Sequence, residues 1–196
     1  MKTSVIVAFS FTCLLICITA GADPEPVLDI LGHVVRPGVR YHILTAIGGG
    51  LTLINPNNTC PLYVVHEPIF HGKPVIFTPL DGEDEILTST DLNITSFVNP
   101  ATTPCNKTLQ WSLGKGSVPR VWFTVAGDDF SEVTIYNINI DKFGTEDYVL
   151  SFCSALCPGC PTRCNKLGLF EAEDGYKHLA QNYQIPPLGV QFKRAH

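Results

Sequence analysis

The chain has 196 residues, a formal net charge of −5 and a hydrophobic content of 45%. This length supports one domain with a sizeable buried core. Because the chain is mildly acidic, we expect neither nucleic acid nor an anionic membrane among its partners.

The first 22 residues are organised like a secretory signal peptide. Lys2 precedes a short apolar segment, residues 5–18, and small residues lead up to Ala22, as a signal peptide and its cleavage site require. A membrane anchor is the alternative, but the segment is shorter than the roughly 20 apolar residues that span a bilayer. We predict a secreted, extracellular domain of residues 23–196 and expect it to be a monomer.

Removal of this segment leaves six cysteines, and an even number in a secreted chain predicts a disulfide framework. Several pairings are open, but the spacing favours one bridge across a long loop and two nested bridges near residue 160. The predicted pairs are Cys60–Cys105, Cys153–Cys164 and Cys157–Cys160. Four clustered cysteines also resemble a zinc site. The oxidising compartment favours disulfides, and we expect no metal and no cofactor.

Helical periodicity is almost absent, and short β-like runs alternate with Gly, Pro, Asn and Asp. About a dozen such runs predict a closed all-β architecture, either a sandwich or a barrel. The candidate strands are 39–44, 51–54, 63–66, 75–77, 92–97, 110–113, 121–125, 133–140, 148–152, 168–171, 178–181 and 189–192. We interpret Trp111, Trp122 and the phenylalanines as core, and expect the hydroxyl groups of Tyr41 and Tyr148 to bond to backbone.

The candidate functional stretch is the segment 74–94. An apolar alternating run, residues 75–78, leads through a Pro-Leu pair to an acidic tip at residues 81–85. A second β-like run follows at residues 86–94. This pattern indicates a projecting, hairpin-like loop that a rigid scaffold can offer to another protein. The alternative is an ordinary solvated turn.

The sequence lacks the arrangements that are typical of enzymes. It contains no G-x-S-x-G elbow, no H-E-x-x-H motif and no phosphate-binding glycine loop. The six histidines are scattered without the spacing of metal ligands. We therefore expect no catalytic activity.

Three N-x-S/T sequons mark candidate glycosylation sites on a secreted chain: Asn57, Asn93 and Asn106. Asn57 and Asn106 are the better candidates because they lie in loop-like sequence beside cysteines. Asn93 lies in a strand-like run, where a glycan is harder to accommodate.

Several segments together carry a family pattern. The matching segments are 27–29, 41–43, 48–53, 60–62, 90–94, 110–113, 148–153 and 190–194. With the cysteine pattern, they resemble the plant Kunitz family of the soybean trypsin inhibitor type, including its miraculin-like members. Leu31 departs from the N-terminal signature of that family, which usually has a polar residue there.

The resemblance implies a β-trefoil of twelve strands in three similar units, six closing a barrel and six capping it. It also implies a plant-defence inhibitor of extracellular proteases in the apoplast, acting through an exposed loop between the fourth and fifth strands. That loop corresponds to residues 78–85, and the candidate inhibitory residues are Pro79, Leu80, Asp81 and Gly82. A protein partner, a secreted protease, is therefore expected.

Two departures from the family change the expected target. No Arg or Lys occurs between Pro74 and Lys107, so we predict a chymotrypsin-, subtilisin- or serine carboxypeptidase-like target rather than trypsin. Pro37 replaces the asparagine that braces the loop in many relatives, which predicts a looser loop. Lys166 and Lys177 are alternative protease contacts. The alternative function is a non-inhibitory storage or ligand-binding protein on the same scaffold.

Overall fold

The computed structural model describes residues 23–55, 58–98, 103–105, 108–116, 118–127, 136–154 and 163–195. The signal peptide, Asn57, Asn106 and the Cys157–Cys160 pair lie outside the described residues. Within the described ranges, no helix is long and apolar enough to cross a membrane. The same residues contain no group of three or more His, Cys, Asp or Glu side chains that could hold a metal ion.

The described residues form thirteen β-strands, numbered in chain order. They are β1 Arg40–Thr45, β2 Gly50–Ile54, β3 Leu62–Glu67, β4 Val75–Pro79, β5 Leu92–Ser96, β6 Trp111–Lys115, β7 Trp122–Ala126, β8 Tyr136–Phe143, β9 Asp147–Ser154, β10 Cys164–Lys166, β11 Gly168–Glu171, β12 Lys177–Gln181 and β13 Val190–Arg194. All twelve predicted strands are present, with ends displaced by a few residues.

Six strands close a barrel by antiparallel pairing around a ring. The order is β1, β4, β5, β8, β9 and β13, and β13 returns to β1. Alternate residues of β1, β4 and β5 are buried, as expected where one face of a strand packs on a core. The closed ring leaves these strands without free edges.

Three hairpins, β2–β3, β6–β7 and β11–β12, cap one end of the barrel. They are joined to one another by the pairs β3–β7, β7–β12 and β12–β3. Six barrel strands and six cap strands in three similar units make a β-trefoil, which confirms the fold expected from the sequence. The additional strand, β10, is a three-residue segment that pairs with β9.

The centre of the barrel is filled by aromatic rings. Phe77 and Phe192 pack edge to face with ring centroids 5.2 Å apart, and Tyr148 lies against Phe192 at 5.5 Å. The Tyr148 hydroxyl accepts a hydrogen bond from the Leu28 backbone N–H, and the Tyr41 hydroxyl accepts one from Arg36. The expectation that both tyrosine hydroxyls bond to backbone is confirmed.

Among the described residues, the expectation that the tryptophans and phenylalanines lie in the core is wrong at three positions. Trp111 is buried and donates its Nε1–H to Ser96, but Trp122, Phe97 and Phe70 are exposed. Phe97 is covered on one face by the Arg40 guanidinium, 3.5 Å from the ring centroid. Composition alone does not give the face of a strand, or the loop, from which an aromatic side chain projects.

Two disulfides lie within the described residues. Cys60 is bonded to Cys105, and Cys153 to Cys164. The second bridge joins residues that are directly paired between β9 and β10. The first bridge joins the segment before β3 to the segment between β5 and β6, and the second fixes β10 to β9.

Candidate functional site

The loop between β4 and β5 comprises residues 80–91. Its first five residues, 80–84, are exposed, whereas Ile86 is fully buried. The large apolar side chain on the exposed part is Leu80, with 49% of its surface accessible. The loop therefore has a projecting half and an anchored half.

The projecting half begins in sheet geometry and ends in a tight turn. The Leu80 N–H donates to the carbonyl of Asp91 at 3.0 Å, which extends the β4–β5 ladder by one residue. Beyond it, the Glu83 N–H donates to Asp81 Oδ1 at 3.2 Å. Gly82 between them has φ of +80°, a conformation that favours glycine. Leu80 is thus held at the base of a compact acidic tip.

The anchored half differs from the predicted second strand. Residues 86–90 are not paired with β4, and β5 begins only at Leu92. Instead, Ile86 accepts a hydrogen bond from the Val27 N–H at 2.8 Å and donates one to Val35 at 3.0 Å. Burial of Ile86 together with these two valines draws the segment towards the N-terminal arm and away from β4.

Further bonds hold the same half of the loop. The backbone N–H of Thr88 donates to Glu25 at 2.8 Å, and the Glu25 N–H donates back to Thr88 Oγ1 at 2.9 Å. The Ser89 hydroxyl donates to Asp141 Oδ1 at 2.7 Å. We call residues 25–36 the N-terminal clamp. Sequence reasoning did not find it, because its contacts join residues some sixty positions apart.

The clamp also reaches the acidic tip. Arg36 Nη2 donates to Glu85 Oε1 at 3.2 Å, and both side chains are partly exposed. Arg36 precedes Pro37, the residue that stands where many relatives have a bracing asparagine. An exposed ion pair of this kind contributes less than about 1 kcal/mol, so the backbone bonds to Ile86 carry most of the anchoring.

Beneath the loop, Asp91 is bonded to β8 through two asparagines. Asn137 Nδ2 donates to Asp91 Oδ2 at 2.9 Å. The Asn139 amide, oriented with its nitrogen towards Asp91, donates to Oδ1 at 2.8 Å. The Asp91 carbonyl accepts the Leu80 N–H. The two asparagine bonds therefore fix Asp91, and through it the backbone of Leu80.

The charge of the loop is strongly negative. Residues 81, 83, 84 and 85 are acidic, and the segment between Pro74 and Lys107 contains no Lys or Arg. Of the acidic side chains, Glu85 has a cationic partner in Arg36. A binding partner therefore meets one apolar side chain bordered by carboxylates.

The two lysines considered as alternative contacts lie in different places. Lys166 is in β10, whose Cys164 lines a shallow depression together with Leu80 and Asp81. Lys177 begins β12 and lines a separate cleft near Tyr176. Both are exposed. The structure therefore brings β10 near the loop and leaves Lys177 in another part of the cap.

The scaffold is shared with known proteins. A family model described as trypsin and protease inhibitor, of the legume Kunitz type, matches residues 27–194. The chain belongs to the Kunitz family of protease inhibitors. The match begins within the N-terminal clamp, at Val27, and extends through β13, so it includes Ile86 and the two valines that pack with it.

Individual relatives agree with this assignment. Kunitz trypsin inhibitor 5 of Arabidopsis thaliana is 35% identical over 190 residues, covering 91% of this chain and 90% of the relative. Miraculin of Synsepalum dulcificum is 33% identical, covering 89% and 86%. A Kunitz type trypsin inhibitor from Cicer arietinum superposes with a TM-score of 0.74 and 28% identity, covering 88% of this chain and 99% of that one.

These matches confirm the resemblance to the Kunitz family and to its miraculin-like members. Because the family consists of protease inhibitors, the expectation that the chain is not an enzyme is also confirmed.

Proposed function

We propose that this Kunitz protein is a secreted inhibitor of a serine protease with an apolar primary specificity pocket. That pocket, S1, receives the side chain that precedes the scissile bond of a substrate. The observation that carries the proposal is the position of Leu80: a half-exposed apolar side chain at the end of a barrel strand, with its backbone bonded to Asp91.

The anchoring of the loop supports inhibition in preference to rapid cleavage. Ordering a flexible segment costs about 1–2 kcal/mol per residue. The backbone bonds of Leu80, Ile86 and Thr88 already order the loop in the free protein, so this entropy is lost on folding and not on binding. A protease that closes on such a loop gains its contact energy without ordering a free chain, and the fragments on either side of a cut bond stay attached to the scaffold.

The charge of the tip supports the choice of target. The S1 pocket of trypsin carries a carboxylate, which selects Lys or Arg. Asp81 beside Leu80 would place a second carboxylate at that pocket, and like charges brought together in a desolvated interface cost several kcal/mol. An apolar pocket of the chymotrypsin or subtilisin type receives Leu80 without such a penalty.

A panel of proteases tests the proposal. The chain from residue 23 onwards is titrated against trypsin, chymotrypsin, subtilisin and a serine carboxypeptidase, and inhibition constants are measured. We expect inhibition of at least one apolar-specific enzyme and none of trypsin. Leu80→Ala should weaken that inhibition about 10- to 100-fold, the equivalent of burying one leucine side chain. Tyr183→Ala, in an exposed loop after β12, is the matched control.

The panel separates the proposed role from its alternative. If Leu80→Ala leaves the inhibition constant unchanged, the protease contacts another part of the protein. No inhibition of any member at micromolar concentration would overturn the proposal and favour a storage or ligand-binding role.

A further inference from the structure

The connection between β3 and β4 presents two consecutive apolar side chains to solvent. Ile69 and Phe70 expose 78% and 69% of their surface, compared with 49% for Leu80. Contiguous exposed apolar side chains are uncommon on soluble monomers unless they mark an interaction site. We call residues 68–73 the Phe70 loop.

The Phe70 loop is fixed at both of its ends. On the β3 side, the Ile69 N–H donates to Glu67 Oε1 at 3.1 Å. On the β4 side, the Lys73 N–H donates to the Leu51 carbonyl at 3.1 Å, and His42 Nδ1 donates to the Gly72 carbonyl at 3.1 Å. Between these bonded ends, the side chains of the tip, Ile69 and Phe70, are exposed to solvent.

Close backbone packing prevents the loop from folding inwards. Gly72 has φ of +75°, and a Cβ atom at this position would collide with the backbone of Leu51. Gly49, in the turn between β1 and β2, approaches the backbone of Glu67 and Pro68 equally closely. The loop is therefore packed closely against β2 and the turn before it, and the two apolar side chains project from this base.

The chemistry of this tip differs from that of the tip beside Leu80. Phe70 is flanked by Ile69 and His71, and the Lys193 ammonium lies 3.5 Å from His71 Nε2. The one acidic side chain nearby in sequence is Glu67, whose carboxylate accepts the Ile69 N–H. An apolar pocket that receives Phe70 therefore meets no free carboxylate from the loop itself.

The Phe70 loop and the loop with Leu80 are attached to opposite ends of one barrel strand. The Phe70 loop enters β4 at Val75, and the loop with Leu80 leaves β4 after Pro79. A strand of five residues is about 16 Å long. The two tips are therefore separate surfaces of the scaffold.

We propose that the Phe70 loop is a second protease-binding site, in which Phe70 enters the apolar S1 pocket of a chymotrypsin-type protease. This inference rests on the proposed function only in taking a protease as the partner. A rigid aromatic side chain in a desolvated pocket is the kind of contact that dominates binding energy at interfaces. One Kunitz chain then holds two protease molecules.

The stoichiometry of the complex with chymotrypsin tests this inference. The chain from residue 23 onwards is mixed with excess chymotrypsin, and the mass of the complex is measured by size-exclusion chromatography with light scattering. We expect two enzyme molecules per chain. Phe70→Ala and Leu80→Ala should each reduce this number to one and weaken the altered site at least tenfold by calorimetric titration. The double variant should bind none.

Three controls distinguish contact from folding. Phe70→Leu retains an apolar side chain and should retain the second site, whereas Phe70→Asp should abolish it. Tyr183→Ala alters an equally exposed aromatic residue elsewhere and should bind two enzymes. Circular dichroism of each variant shows whether the barrel is intact.

The possible outcomes separate the two sites. If one enzyme binds, and this binding is lost in Phe70→Ala but kept in Leu80→Ala, the result supports the Phe70 site and shows that chymotrypsin does not bind at Leu80. A single bound enzyme that is lost only with Leu80→Ala overturns the inference and leaves the proposed function standing. Absence of any complex overturns the Phe70 site.

Discussion

At the scale of single residues, Asp81 is the acidic side chain directly next to Leu80 in the loop tip. Its carboxylate also accepts the Glu83 N–H and closes the turn. A change at this position can therefore alter specificity, local geometry or both. Two substitutions separate these effects, because asparagine keeps a hydrogen-bond acceptor while removing the charge.

The first prediction concerns trypsin. Asp81→Arg should create trypsin inhibition at least a hundredfold stronger than that of the natural chain, because trypsin can then take the guanidinium of residue 81, in place of Leu80, into its S1 pocket. Asp81→Asn, the control, should gain only a few-fold. The measurement is the inhibition constant for trypsin at low and high salt. Equal constants for Arg and Asn would show that position 81 does not enter the pocket.

A second informative residue is His178, which stands in the C-terminal hairpin. Its ring stacks on Phe123 with centroids 4.4 Å apart and meets Tyr63 edge to face. Nε2 donates to Asp174 Oδ2 at 2.9 Å. The histidine is buried, so it joins the turn before β12 to the cap. It is not a surface contact for a partner.

The second prediction follows from the pKa of Asp174. Burial acts to raise this pKa, but hydrogen bonds from the Tyr176 N–H and from His178 outweigh it and hold the pKa below its ordinary value of 3.8. A carboxyl group with a depressed folded-state pKa stabilises the fold above pH 3.8, and this contribution is lost as the pH falls through the lower value.

Asp174→Asn should therefore lower the free energy of unfolding at pH 7 by about 1 kcal/mol, a modest value because the carboxylate is partly exposed. As the pH falls through the lowered pKa and the natural carboxyl becomes protonated, the stabilities of the two proteins should converge. Urea unfolding at pH 7 and at a series of acidic pH values checks this. A difference in stability that stays the same at every pH would assign the effect to shape instead of charge.

At the scale of elements, the loop at Leu80 depends on a segment that lies far from it in sequence. Ile86 packs with Val27 and Val35, and its backbone bonds to both. Within the tip itself, the Glu83 N–H donates to Asp81 Oδ1, and Arg36 of the clamp pairs with Glu85. The conformation of the loop therefore depends on the N-terminal clamp, and we expect the clamp and the loop to become disordered together.

The third prediction compares Ile86→Ala with Leu80→Ala. Removing buried methylene groups of Ile86 should lower the free energy of unfolding by about 2–3 kcal/mol, and should also weaken inhibition because the loop becomes mobile. Leu80→Ala should weaken inhibition alone. Hydrogen exchange of residues 80–85 is measured beside the inhibition constant. Unchanged exchange in Ile86→Ala would contradict the role assigned to the clamp.

The elements also show what sequence reasoning can reach. Alternation of apolar residues predicts barrel strands such as β1 and β5, since one face of each packs on the core. It misses β10, because the segment Cys164–Lys166 has no apolar pattern and is exposed throughout. It also extends the second strand of the loop to Ile86, since local propensity does not show that Val27 and Val35 cover this side chain.

At the scale of the whole molecule, closure of the barrel connects the two ends of the chain. β13 pairs with both β1 and β9, and Phe192 of β13 contacts Phe77 and Tyr148. The Phe192 carbonyl also accepts the Ile30 N–H of the clamp at 2.9 Å. The C-terminal strand therefore supports β4, the strand that carries both exposed loops. The strand pattern predicted a closed all-β architecture, either a sandwich or a barrel. The resemblance to a known family predicted the trefoil barrel itself, because this closure depends on contacts across the full length of the chain.

The last prediction uses one substitution at two sites. Phe192→Ala leaves a cavity at the centre of the barrel and should lower the free energy of unfolding by about 3–5 kcal/mol. Phe70→Ala removes the same atoms from an exposed loop, and should change stability by less than about 0.5 kcal/mol. Urea unfolding of both variants and their binding to chymotrypsin are measured together. If the trefoil is the scaffold for both loops, Phe192→Ala weakens both contacts as the fold loosens, whereas Phe70→Ala removes one contact from an intact protein. A stable Phe192→Ala variant that retains full binding would show that the loops hold their shape without the barrel core.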